Sequence, residues 1–184
     1  LTYKEDLFLL DKLFQLRSIR IQSDELTPQT KNILKGKVIV ILGGSYGIGY
    51  EISCLCKEGG AKVYAYSRAT GVNVSDETAV RKILKEVHER EGCIDCIVNT
   101  AGILDRQPLD SMSYEDIHTS IDVNYTGSVN VAKESFCYLK ESKGSILFFT
   151  SSSYTRGRSL YSLYSSSKAA IVNLVQALSE EWYD

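Results

Sequence analysis

The rhythm of apolar and polar positions changes near residue 36. From residue 7 to 16, leucines and phenylalanine recur at helical spacing (Leu7, Leu10, Phe14 and Leu9, Leu13, Leu16), behind an acidic turn at Glu5-Asp6. That pattern predicts a short amphipathic helix. Residues 18–35 then turn polar and carry Thr27-Pro28, so they read as a linker.

Beyond residue 36, short apolar runs alternate with helical patterns. Residues 38–42 are wholly apolar, which suits a parallel strand buried on both faces. A glycine turn follows, then a helix to about residue 57. Further strands are predicted at 62–67, 94–98 and 145–150, a helix at 76–90 capped by Ser75, and a long helical region over 114–141. Strands alternating with helices imply an α/β doubly wound parallel sheet, with ligands at the carboxyl ends of its strands.

The composition excludes several classes. With 184 residues, 43% hydrophobic, the chain holds one full-sized domain plus an appendage, or is part of something longer. Leu1 is not an initiator methionine, and residues 180–184 carry no helix stop, so both ends are expected to be cuts. A net charge of −2 with scattered Lys and Arg disfavours nucleic acid. No apolar run approaches the ~20 residues of a membrane span, and five cysteines without a pairing pattern fit a reduced, cytoplasmic setting. Cys93 and Cys96 read as buried small hydrophobes, and no metal site is expected.

Two constellations carry chemistry. The first is Gly43-Gly44-Ser45-Tyr46-Gly47-Ile48-Gly49, a glycine turn between strand and helix. Glycine permits unusual backbone angles and close approach, and a helix amino terminus offers unpaired N–H groups, so the turn suits a pyrophosphate cradle, while a purely structural turn fits the same glycines. At the end of the second strand, neutral Ser67 and cationic Arg68 favour NADP(H), where a carboxylate would favour NAD. The second constellation is Ser151 with Tyr164 and Lys168, the last two one helical turn apart. A free tyrosine titrates near ~10, so it needs a nearby cation to shuttle protons at neutral pH. Lys168 supplies that cation, while Ser151 would hydrogen-bond the substrate oxygen.

These motifs resemble those of the short-chain dehydrogenase/reductases over residues 36–184. The family's glycine turn matches at Gly43, Gly47 and Gly49, with Ser45, Tyr46 and Ile48 between them. Its Asn-Asn-Ala-Gly matches Asn99-Thr100-Ala101-Gly102, and its helical catalytic asparagine matches Asn124. The resemblance implies a Rossmann-type fold and a catalytic set of Asn124, Ser151, Tyr164 and Lys168. It implies cofactor contacts at the glycine turn, Ser67, Arg68, Val74, Asn99, Ala101, Gly102, Tyr164 and Lys168. Asn124 would support a water relay to Lys168, which would also contact the nicotinamide ribose. Leu42, Thr100 and Asn73 depart from the family pattern. The family continues past this last helix, so the sheet and the substrate lid are expected to be C-terminally truncated here.

Residues 1–18 resemble the closing helix of sugar-phosphate cytidylyltransferases, joined by a linker at 19–35 to the reductase-like part. The combination resembles bifunctional bacterial enzymes that reduce D-ribulose 5-phosphate with NADPH and activate the ribitol phosphate with CTP for capsule or wall polymers. A small sugar-phosphate substrate and a homo-oligomeric intact protein follow from that resemblance. Arg156 and Arg158 fit either a substrate phosphate or an ordinary surface. Two other functions stay open: reduction of another ketone or a 3-oxoacyl thioester, and a non-catalytic NADP(H)-binding regulatory module.

Overall fold

The computed structural model describes residues 27–182. The helix expected at residues 7–16 lies outside them. Part of the expected linker is helical: α1 spans Pro28–Leu34, with Thr27 Oγ1 accepting from Thr30 N at 3.2 Å and proline in the first turn. The polar sequence hides this helix because a single apolar residue packs it, beside an ion pair from Lys31 to Glu58 at 3.0 Å. Leu34 packs against Gly59, where a β-carbon would overlap its side chain, and Gly36 N donates to Gly60 O at 2.9 Å.

Four parallel strands follow: β1 (Val38–Leu42), β2 (Lys62–Tyr66), β3 (Cys96–Asn99) and β4 (Ser145–Phe148), in the order β2-β1-β3-β4. Between and after them lie α2 (Gly47–Glu58), α3 (Glu77–Glu91), α4 (Tyr114–Ile121), α5 (Gly127–Ser142) and α6 (Ser162–Glu181). β1 is buried along its whole length. Val38, Val40 and Leu42 join a core with Val80, Leu84 and Val87 of α3 and with Val131 of α5. Ile39 and Ile41 face the opposite way, toward Ile52 of α2 and Leu34. Helices therefore cover both faces, the doubly wound Rossmann arrangement predicted from the apolar runs.

The strand ends are in register. Leu42 pairs with Tyr66 on one side and Asn99 on the other, and Asn99 pairs with Phe148. All four carboxyl ends thus open onto one edge of the sheet. The chain crosses from one side of β1 to the other between β2 and β3, which sets the ligand crevice there.

Several boundaries differ from the predicted ones. Asp76, rather than Ser75, caps α3, its carboxylate accepting from Thr78 N (2.9 Å) and Ala79 N (3.2 Å). Strand β3 starts at Cys96 because Asp95 is diverted: its carboxylate takes Lys37 Nζ at 2.6 Å and Val38 N at 2.8 Å. The strand expected to reach residue 150 ends at Phe148. The long helical region is broken by a π-helical turn, Asp122–Thr126, between α4 and α5. Cys93 and Cys96 are half-buried rather than buried; burial pushes the Cys96 thiol up to about 11, which suits an inert thiol.

Candidate active site

The glycine turn leaves β1 in backbone conformations that its sequence dictates. Gly43 has φ +88° and Gly47 φ +59°, the left-handed region that side chains avoid. Gly43 N and Gly44 N both donate to Tyr66 O, at 2.8 and 3.1 Å, pinning the turn to the end of β2. Gly49 sits where a β-carbon would overlap Gly43 O and Thr100 Oγ1. Tyr46 caps α2 with no side-chain hydrogen bond to the helix, so the first amides of α2 have no side-chain acceptor.

Thr100, a departure from the family's asparagine, has a definite task. Its hydroxyl lies 3.0 Å from Leu42 O and 3.2 Å from Gly43 O, tying the loop after β3 to the glycine turn. Asn99 Oδ1 accepts from Ala101 N (3.2 Å), and Asn99 Nδ2 donates to the Ser128 hydroxyl (3.3 Å). Asn99 is therefore a buried support for the loop rather than part of its surface.

Gly43, Ser45, Tyr46, Gly47, Ile48, Gly49, Ser67, Arg68, Val74, Ala101, Gly102, Tyr164 and Lys168 border one cavity of about 710 Å³. Residues more than a hundred positions apart in sequence meet there. Ser67 Oγ contacts Ser45 Oγ and accepts from Ala69 N at 3.1 Å, fixing a tight turn that begins with exposed Arg68. Val74 packs against Gly127 and its carbonyl accepts from Asn130 Nδ2 at 3.1 Å, a brace that no sequence pattern announces.

On the opposite wall, α6 presents Tyr164 and Lys168. Lys168 is 8% exposed, its Nζ donates to Phe149 O at 2.8 Å, and the ammonium lies 5.7 Å from the Tyr164 ring centroid. Burial pulls the Lys168 pKa below its usual 10.5. Thr150 Oγ1 donates to Lys168 O at 2.9 Å, so the segment after β4 is bonded to α6 through both ends of one residue. The N–H···O and ring contacts hold phenol and ammonium in a fixed pair.

Asn99, Asn124 and Ser151 do not border the cavity. Asn124, 1% exposed in the π-helical turn, accepts from Ile103 N and donates to Ile103 O, both at 2.9 Å. A β-carbon on Gly102 would lie 3.1 Å from Asn124 Oδ1 and 3.7 Å from Lys168 Nζ, so the three groups adjoin. Ser151 is half-buried beside cavity-lining Thr150. Its Oγ accepts from Ser153 N (3.2 Å) and Ser153 Oγ (3.0 Å), leaving its own O–H as a donor. Arg158 hydrogen-bonds Ser152 Oγ at 3.1 Å, and neither it nor Arg156 borders the cavity.

The cradle fits a nicotinamide dinucleotide: left-handed glycines, uncapped amides and a serine-arginine strand end line one side of a cavity whose other side carries a phenol and an ammonium. Among the described residues no cluster of His, Cys, Asp or Glu could hold a metal ion. No described helix is long and apolar enough to cross a membrane.

A parallel sheet with this cavity at its carboxyl edge is a Rossmann-type dinucleotide-binding arrangement. A family model described as short chain dehydrogenase matches residues 66–184, and the chain belongs to that family, whose members use NAD(P)(H). The bifunctional ribulose 5-phosphate reductase/CDP-ribitol pyrophosphorylase of Haemophilus influenzae is 50% identical over 182 residues, 99% of this chain and 38% of its own length. Galactitol 2-dehydrogenase of Agrobacterium fabrum is 28% identical over 78% of this chain and 64% of its own length. Among solved structures, the aldohexose dehydrogenase of Thermoplasma acidophilum superposes with TM-score 0.75 at 25% identity, covering 81% of this chain and 62% of that one. The chain thus spans well under half of the Haemophilus relative.

Proposed function

We propose that this chain is the reductase part of a bifunctional enzyme, reducing D-ribulose 5-phosphate to D-ribitol 5-phosphate with NADPH. The 50% identity to the Haemophilus protein across nearly the whole chain supports the substrate, and the cavity uniting the glycine turn with Tyr164 and Lys168 supports the chemistry. NADP(H) is favoured by Ser67 and Arg68 at the end of β2, where no carboxylate stands to repel a 2′-phosphate. The glycine turn and the first amides of α2 would hold the pyrophosphate, and Val74, Ala101 and Gly102 would flank the remainder.

When bound, the cofactor supplies a hydride to the substrate carbonyl carbon. Tyr164 then donates its phenolic proton to the carbonyl oxygen, and the Lys168 ammonium stabilises the phenolate left behind. Ser151 uses its free O–H to orient that oxygen. Asn124 acts at one remove, holding the Ile103 backbone so that the Gly102 loop keeps its place next to Lys168. In the oxidative direction the same groups run in reverse.

The intact protein, on this reading, is a cytoplasmic homo-oligomer with an upstream cytidylyltransferase, making an activated sugar alcohol for capsule polymers. The test is NADPH oxidation by the full-length protein supplied with D-ribulose 5-phosphate, followed by the loss of NADPH absorbance. Turnover of a 3-oxoacyl thioester in preference to the ketose phosphate would support the rival reductase reading, and binding of NADPH without turnover of either would support a regulatory module.

A further inference from the structure

A sugar-phosphate substrate needs a cation for its phosphate, and most cations near the cavity are committed elsewhere. Lys168 is buried against Phe149 O, Arg158 is bonded to Ser152, and Arg156 has no ring to place it among the described residues. Arg68 stands at the end of β2, next to the glycine turn rather than next to Tyr164. Arg106 is different. It sits in the loop after β3, two residues beyond Leu104, which borders the cavity, although neither Arg106 nor Tyr161 borders it directly. Its Cζ lies 5.7 Å from the centroid of the Tyr161 ring, and that ring meets Tyr164 edge-on with centroids 6.4 Å apart.

The guanidinium is therefore held one aromatic ring away from the proton-donating phenol. It is exposed, and among the described residues no carboxylate lies within ion-pair distance of it. A guanidinium held over a ring face keeps its N–H donors available for a phosphate. In a pentulose 5-phosphate the carbonyl is at C2 and the phosphate at C5, so a phenol for the one end and a cation beyond the neighbouring ring for the other match the order of groups along the molecule.

We propose that Arg106, stacked on Tyr161, recognises the substrate phosphate and selects phosphorylated over neutral ketoses. This rests on the reading of the site as a sugar-phosphate reductase. Tyr161 serves as its platform, positioning the guanidinium rather than touching the reacting atoms.

The experiment compares kcat/KM of the full-length protein for D-ribulose 5-phosphate and for D-ribulose, in wild type, Arg106→Gln and Arg106→Ala. The ratio of the two values should fall roughly ten- to a hundredfold in both variants, the worth of a charge-assisted phosphate contact. Inhibition by inorganic phosphate, competitive with the ketose phosphate, should weaken in parallel. Arg106→Lys, which keeps the charge, should recover part of the ratio. A ratio that stays at the wild-type value overturns the proposal, including when both substrates slow together, since that marks Arg106 as a support for Tyr161 alone. A wild type that turns over D-ribulose 5-phosphate no better than D-ribulose overturns the substrate reading itself, and with it this proposal.

Discussion

Asn124 and Ile103 exchange a reciprocal pair of hydrogen bonds, side-chain amide to backbone amide, each 2.9 Å long. An asparagine 1% exposed in a helix would be costly if unpaired, and here it satisfies both backbone groups of Ile103 in the loop after β3. Replacing it by alanine orphans the Ile103 N–H and C=O together. Asn124→Ala should lower the unfolding free energy by about 1–3 kcal/mol per orphaned group, read from the urea midpoint at unchanged slope. A midpoint within error of wild type would mean that the loop finds other partners.

Tyr164→Phe keeps the ring against Tyr161 and beneath Lys168 but removes the proton. Turnover should drop by at least the ~10²-fold typical of losing an acid–base group. NADPH affinity, measured by fluorescence titration, should stay close to wild type. Turnover near normal would assign the proton to another group.

Cofactor preference should reside in Arg68. Arg68→Ala is expected to weaken NADPH binding roughly ten- to a hundredfold, the equivalent of a charge-assisted phosphate contact, while NADH binding changes little. Titrating both cofactors against both proteins decides the matter, and a wild type that prefers NADH refutes the assignment.

Gly49→Ala places a methyl group against Gly43 O and the Thr100 hydroxyl, both of which are backbone-fixed or bonded to the turn. The turn must then move away from α2. Cofactor binding should weaken more in this variant than in Gly71→Ala, where nothing lies within 4 Å but φ is +82°. Equal affinities in the two would show that close packing under the cradle is dispensable.

Asp95 gives a pH dependence. Burial pushes its carboxyl up, but the Lys37 ammonium and the Val38 N–H more than offset this and hold it below 3.8. With the folded value below the unfolded one, its stabilisation is fully present above about pH 4 and is lost as pH falls through the folded value. Thermal melts of Asp95→Asn should therefore fall below wild type at pH 7 and converge with it in stronger acid. Parallel curves at all pH values would count against the linkage.

Much of the fold and the site was legible because it depends on local chemistry. The apolar run of β1, the glycine spacing and the Tyr164–Lys168 interval each encode their geometry within a few residues. What stayed hidden depends on contacts between distant segments. Thr100 reads as a defect of the family pattern until its hydroxyl is seen on Leu42 O. Asn130 reads as an ordinary helical polar residue until it meets Val74 O. Helix α1 is disguised by polar composition, since Leu34 is its one apolar contact with the core and Lys31 holds it through an ion pair to Glu58, and the Arg106–Tyr161 contact joins segments 55 positions apart in sequence. The sequence alone points to Ser75 as the cap of α3, one residue early, because Ser75 and Asp76 are both competent caps and only the folded loop chooses between them.

The π-helical turn at Asp122–Thr126 has a consequence for phase. An ideal α-helix advances about 100° per residue, so positions four apart drift by roughly 40° around its axis. Ser120, Asn124 and Ser128 are spaced in that way and are all buried. A π-helical turn advances fewer degrees per residue and so offsets that drift, and all three stay buried while α5 still turns Val131 and Leu139 to the core. A single rod thus carries two cams set at different angles, one bearing on the Ile103 loop and the other on the sheet. Shortening the turn by one residue would re-time one cam against the other without removing any side chain from the site.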